Sequence, residues 1–334
     1  MLNYSRRFVF GAGVLASLVV GVAMGWGPVA TATAQTGPSI LIRPWQEEVK
    51  YAETTDRITY VPNGHVKETD GDFDVFSTES QGRIRFDPEN PDPRFVLGYQ
   101  ADIHDFGTDD ARIPEVINVV AISGGVQLGE IAEDWRVSAI LGAGTANDGH
   151  WNDDNSFFGR AAVNVQYIVD ETSQWNFGMD YNGNRTVFPD LPLPYVYYYS
   201  RPDPKFGYTV GFPFMSIDWL PQDQVRLEAT WALPISLTGR LSYYFTEDLR
   251  VYGEYSRSTQ RFHRKRDSDT RYTFYEGQQA IGAVEWANPY GVLTVGGGYA
   301  FEREFGRGWD SRDIDVFAEV SDEPFMFIQF AGRF

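Results

Sequence analysis

From Ala52 onward the chain alternates between apolar and polar residues with a period of two. Phe95, Leu97, Tyr99, Ala101 and Ile103 fall on one side, and Val96, Gly98, Gln100, Asp102 and His104 on the other. A two-residue period predicts a strand with unlike faces. Further runs are Thr54–Val61, Asp72–Phe86, Glu115–Glu130, Trp135–Ala143, Phe157–Val169, Trp175–Asn182, Phe206–Trp219 and Val225–Leu233. Leu237–Thr246, Leu249–Ser256, Thr270–Trp286, Val292–Glu304 and Pro324–Phe334 complete the series. Thr54–Val61 alternates most weakly. The three runs after Gln222 alternate best: Val225, Leu227, Ala229 and Trp231, for example, oppose Gln224, Arg226, Glu228 and Thr230.

A soluble sandwich would also alternate. It would not need a long apolar face on nearly every strand, aromatics near strand ends and charge on the opposite side. A transmembrane barrel needs all three, because lipid covers its outside and water or polar side chains fill its inside. The expected fold is therefore all-β: a single antiparallel transmembrane β-barrel of about 14 strands, or 12 if Thr54–Val61 and one other run fail. Short connections, taken as periplasmic turns, alternate with long ones, taken as external loops. The link near Pro234–Ser236 is the exception, short where an external loop is due. Asn184–Lys205, rich in Pro and Tyr, reads as a long connection, packed loop or part of the external girdle, with a lid or sugar-binding surface as the alternative. Asp313–Val320 looks strand-like but falls into an external loop, because the terminal strand must end on the periplasmic side. Gly296-Gly297-Gly298 predicts a bend or close packing within the wall.

The terminal strand carries Met326, Ile328, Phe330, Gly332 and Phe334 on one face. A final Phe on such a strand resembles the targeting signal of bacterial outer-membrane barrels, which implies Phe334, Phe330 and Ile328 as targeting residues and the barrel-assembly machinery as a partner. Residues 1–34 read as a signal peptide: Arg6 and Arg7, an apolar stretch Phe8–Met24, and Ala32-Thr33-Ala34 as an A-x-A cleavage site. An uncleaved anchor and a twin-arginine signal are the alternatives. Residues 35–51 form a periplasmic lead-in, and 52–334 the barrel. The expected location is the cell outer membrane, with its lipid and glycolipid as partners.

Composition sharpens this. There are 28 basic against 46 acidic residues, a net charge of −18, which argues against nucleic acid as a partner. With no cysteine, neither disulfides nor thiolate metal sites hold the fold. Aromatics at 16% suit two interfacial girdles.

Candidate chemistry is sparse. His104 faces inward beside Asp102, as a rim hydrolase would require, yet no serine partner is identifiable by spacing; a structural hydrogen-bonder is the plainer reading, and no enzyme is expected. Asn147–Asn155 is dense in oxygen ligands but lacks an EF-hand pattern, so a solvated loop is favoured over Ca²⁺. No cofactor or metal is expected. Arg261, Arg264, Lys265 and Arg266 surround His263 and could clamp phosphates of a glycolipid or attract anions, if they are not simply a solubilising loop. Arg136, Arg160, Asp180, Arg226, Glu228, Arg240, Arg250 and Glu254 are expected to line the lumen, either as a water-filled pore or as ion pairs that plug it. A passive pore or structural barrel is the leading function. A rim enzyme acting on lipid, or a surface binder using its loops, follows.

Four segments resemble uncharacterised outer-membrane β-barrel families that carry a domain-of-unknown-function label. These are Ile113–Trp135, Gly211–Tyr255 with Phe212-Pro213-Phe214 and Trp219-Leu220-Pro221, Gly298–Phe305, and Pro324–Phe334. The resemblance implies fold and location and carries over no catalytic residues.

Overall fold

The computed structural model describes residues 49–334 except 88, 91, 92, 233–235, 266 and 268–270, so the expected signal peptide and most of the lead-in lie outside the described residues. The strands are β1 Ala52–Val66, β2 Gly71–Arg85, β3 Phe95–Thr108, β4 Val116–Ala132, β5 Trp135–Asn147 and β6 Phe157–Asp170. Then come β7 Ser173–Asn182, β8 Leu193–Asp203, β9 Phe206–Phe212, β10 Phe214–Gln222, β11 Val225–Ala232 and β12 Ser236–Tyr244. The last are β13 Leu249–Phe262, β14 Tyr272–Asn288, β15 Gly291–Gly308, β16 Asp315–Val320 and β17 Glu323–Arg333. From β1 to β16 each pairs antiparallel with its neighbour in sequence, β17 pairs with β15, and β17 returns to β1 through Glu53↔Arg333 to Tyr60↔Met326, closing the ring. Closure gives every described strand a neighbour on both sides, although β13 rises past the end of β12 beyond Arg257.

The ring has sixteen positions, because β16 and β17 occupy one of them end to end. Both pair with β15, at Arg303↔Val320 and Ala300↔Glu323, and both pair with β1, at Val66↔Val320 and Tyr60↔Met326. Two expectations are corrected here. Asp313–Val320 supplies wall, prolonging the terminal strand beyond a break at Ser321–Asp322. The count of about 14 is also low by two. The Pro- and Tyr-rich connection contains β8, and the run Phe206–Trp219 folds back at Pro213 into β9 and β10. Pro194 and Pro202 sit near the two ends of β8, where a missing N–H costs the ladder least. Tyr195, Tyr197 and Tyr199 lie between them on one face. The Pro234–Ser236 link joins β11 to β12 and lies largely outside the described residues.

The expected faces hold. Leu141, Leu241, Val295 and Met326 point outward and are each more than half exposed. Trp135, Trp175, Trp219, Phe245 and Trp286 ring the outside near the terminus-bearing end, and Tyr60, Phe157, Phe212 and Trp231 the other. Apolar surface encircling a closed barrel is far more than a water-soluble monomer exposes. It is what hydrocarbon requires of a spanning sheet. The chain is an outer-membrane β-barrel. No helix among the described residues is long and apolar enough to cross a membrane.

The wall is uneven. β9 to β12 are 7–9 residues long, whereas β1 to β6 and β13 to β15 run to 13–18. The short side is at or below the roughly 9–11 residues that a tilted spanning strand takes, and the long side stands clear of the membrane at the loop end. The triple glycine on β15 is packing, as expected. Phe325 and Phe327 of β17 lie over Gly298 and Gly296, where a Cβ would come within 2.9 and 2.7 Å of their rings.

Candidate functional site

The loop-side mouth is the most constructed part of the molecule. β5 and β13 stand eight positions apart either way around the ring, on opposite walls. The upper end of β13 nevertheless reaches β5. Asn147 and His263 form a parallel bridge, and the His263 N–H donates to the Ala146 carbonyl at 2.9 Å. Asn147 and His263 are fully or almost fully buried. Asn147 accepts from Asn118 at 3.2 Å and donates to Thr145 at 3.0 Å, and His263 Nδ1 lies 2.7 Å from an Asp153 carboxylate oxygen. A backbone contact across the full diameter clamps the mouth.

One lobe beside this clamp is filled by a buried apolar cluster. Phe73 of β2, Phe106 of β3, Tyr275 of β14 and Phe305 of β15 converge across the lumen: Tyr275 stacks on Phe305 at 4.7 Å, and Phe106 meets both rings edge-on at 5.4 and 5.3 Å. Ile117, Phe262, Val66 and Val320 join this cluster, each essentially without exposure. Inward positions that are polar lower in the wall become aromatic here, so the lobe buries apolar area at roughly 25 cal/mol per Å².

His104 lies at the base of this cluster. Its serine partner exists: Ser77, its cross-strand neighbour on β2, is 2.7 Å from Nδ1. Gln260 of β13 reaches Nε2 at 2.5 Å across the lumen. Both Ser77 and His104 are about 5% exposed, so the pair presents no face to a substrate and serves as a buried polar tie. Asp102 shares their face but bonds Gln100 at 2.6 Å.

Two loops lock the mouth with one repeated turn. Asp110 accepts from the Arg112 backbone N–H at 2.9 Å and Nε at 3.0 Å; Asp310 accepts from Arg312 at the same two distances. Those guanidiniums pull the Asp110 carboxyl down to about 2 and hold Asp310 below the usual carboxylate range. Arg112 then donates to the Phe317 carbonyl at 2.8 Å, and Arg312 covers the Phe188 ring at 3.9 Å. Ser311 N–H bonds the Thr186 carbonyl at 2.8 Å, tying the β15–β16 loop to the β7–β8 loop.

The expected arginine cluster is divided. Arg261 and Arg264 turn inward and are 1% and 7% exposed, not displayed on a loop. Arg261 lies 3.3 Å over the Tyr272 ring and donates to the Gly183 carbonyl, and Arg264 donates to the Arg112 carbonyl at 2.5 Å. Lys265 is exposed, and Arg266 lies outside the described residues. In the Asn147–Asn155 loop, Asp153 and Asp148 are engaged by His263 and His150.

Toward the terminus-bearing end the lumen is lined by ion pairs. Asp218, Glu228, Arg240 and Glu254 are register partners on β10 to β13. Arg226 bonds Asp218 at 2.8 Å, and Arg201 bonds the same carboxylate at 2.7 Å. Arg240 pairs with Glu254 at 2.5 Å and Arg250 with Glu285 at 2.7 Å. Glu228 lies 3.4 Å from Arg226. Arg160 reaches Gln100 at 3.0 Å, Asp180 pairs with Arg185, and Arg136 meets Glu130 at 3.5 Å near the rim. Ser77, Gln260 and the two Asp-x-Arg turns escaped the sequence reading, and Asn147 entered it only as part of an oxygen-rich loop. Each takes its role from a contact that the alternation along one strand does not show.

No protein-family model matches the chain, so the family resemblance narrows to the barrel itself, and no curated protein matches it. Among solved structures it is similar to the NanC porin, at 7% identity over 84% of this chain and all of that one, TM-score 0.31. It is similar to an outer membrane channel from Pseudomonas putida F1 at 8% over 90% of this chain and all of that one, TM-score 0.37. It is also similar to the Acinetobacter baumannii outer membrane protein Omp33 at 9% over 86% and all of that chain, TM-score 0.33.

Proposed function

We propose that this barrel is a channel for small polar solutes whose outer mouth is closed, in the form described here, by the β5–β13 clamp. The observation that carries the reading is the lumen wall from β8 to β14. A ring of sixteen strands leaves an aqueous path unless something fills it. Here the filling is apolar only at the loop end, and below it the inward faces carry arginines and carboxylates. A barrel built only as a wall would gain more from an apolar core, because paired buried charges barely repay their desolvation. Since Arg201, Arg226, Arg240 and Arg250 each stand beside a carboxylate, the fixed charges of this wall nearly cancel and selectivity between ions should be weak.

The test is conductance of the purified protein in planar bilayers. Infrequent openings with a reversal potential close to zero in a salt gradient are expected. A silent bilayer at every voltage, with the barrel folded and inserted, would leave a structural role as the reading.

A further inference from the structure

Inside the lipid-facing band, β1 to β3 carry a polar patch. Met326, Ile328 and Phe330 of β17 face lipid, and their register partners on β1 are Tyr60, Ile58 and Asp56. Asp56 therefore faces outward with them. Its partner on β2 is Ser80, whose hydroxyl donates to the Asp56 carboxylate at 2.6 Å and lies 3.3 Å from the Tyr99 hydroxyl of β3. Thr54 and Thr78 flank the pair on the same face. Along β2, Ser80 sits between the outward rings of Phe76 and Phe86, four and six residues away. At about 3.3 Å per residue that places the patch well inside the hydrocarbon on both sides. Among the described outward positions between the girdles, Asp56 is the one carboxylate or basic side chain.

A carboxylate at this depth is costly, and an ionisable intramembrane residue marks a site by default. Acyl chains offer no hydrogen bonds, and neither headgroups nor water sit at mid-wall. The component of a membrane that can cover such a patch with matching groups is another protein wall. The patch also matches itself. Ser, Thr and Tyr hydroxyls both donate and accept, so a facing copy supplies donors to the carboxylate and acceptors to the hydroxyls. Gly82 and Gly332, the register partners of Thr54, leave room for the rings of Tyr99 and of Phe330 and Phe334, which lie over them beside the patch. Exposed Phe76, Tyr60, Met326 and Ile122 surround it as an apolar rim.

We propose that the lipid-facing patch Thr54, Asp56, Thr78 and Tyr99, with Ser80 buried beneath the Asp56 carboxylate and the Tyr99 hydroxyl, is the contact between two copies of this chain in the membrane. The chain has no cysteine, so single introduced thiols report the contact cleanly. Thr78→Cys, oxidised in outer-membrane vesicles, should give a covalent dimer of this chain. Val163→Cys, outward on β6, should not. In parallel, light scattering of the unaltered protein in mild detergent should give an oligomer that Asp56→Leu with Ser80→Ala converts to a monomer, while heat-modifiable gel mobility confirms that the barrel still folds. A monomeric unaltered protein, an oligomer that survives the double substitution, or a Thr78→Cys crosslink to a different polypeptide would each overturn the proposal.

Discussion

Asp110-Ala111-Arg112 and Asp310-Ser311-Arg312 make the same small device, an acid that captures the backbone and guanidinium two residues on. The device has a pH signature. Free aspartate titrates near 3.9, and Asp110 is pulled down to about 2, first by its hydrogen bonds from Arg112. A depressed acid contributes stability that is complete above its unfolded pKa and is lost as pH falls through the folded value. Protection from hydrogen exchange in residues 109–115, relative to the intrinsic rate at each pH, should therefore hold from neutral pH to about 4 and fall toward pH 2. Asp110→Asn should exchange faster throughout and lack that acid step; an identical step in the variant would show that the turn is held by other contacts. The polar pair Ser77 and His104 teaches the complementary lesson. Each was present in the sequence, but their meeting depends on the β2–β3 register, which places His104 opposite Ser77 and not one position away.

At the scale of elements, alternation was legible wherever lipid took one face and the lumen the other, as in β11 to β13. It was weak in β1, and the structure supplies the reason. The outward face there carries Thr54 and Asp56, so both faces are polar. β8 was hidden because its prolines read as loop, although they sit where pairing with a neighbour is sparse. The break between β16 and β17 hid the wall character of Asp315–Val320, and Glu302 opposite it takes a φ of 49°. The joint of β15 with β17 is tight. A side chain at Gly298 would meet the Phe325 ring at 2.9 Å and the Ala280 carbonyl at 2.1 Å. Gly298→Val should destabilise the barrel by about 1–3 kcal/mol or prevent its closure, since packed walls do not absorb added volume. The check is the urea concentration at which the compact gel band is lost; an unchanged midpoint would mean that both the Phe325 ring and the Ala280 backbone give way freely.

For the whole molecule, the decisive feature is the contact between opposite walls. If the β5–β13 clamp gates the path, fixing it should silence the channel. Asn147→Cys with His263→Cys places two thiols at bridge partners in a chain that otherwise has none. Oxidation should abolish openings in a planar bilayer, and reductant should restore them. Openings that persist with the disulfide formed would move the gate elsewhere, or show a path through the lobe lined by β6 to β12. The clamp is assembled from groups far apart in sequence, His263 with Asp153 and Ala146, and Arg264 with Arg112.

The sequence alone determined the class: strands of spanning length, apolar toward lipid and charged inside, because a bilayer imposes the same two-residue pattern on every segment that crosses it. It did not determine which inward residues are lumen and which are plug. A one-strand pattern shows the side a residue faces, but not what stands opposite. Arg261 and Arg264 read as a surface cluster until the fold turned them into the clamp, and Asp56 read as part of a weak strand until the register set it among lipid-facing neighbours. Those decisions belong to ring closure, stagger and wall height, which bring together residues that share no local pattern.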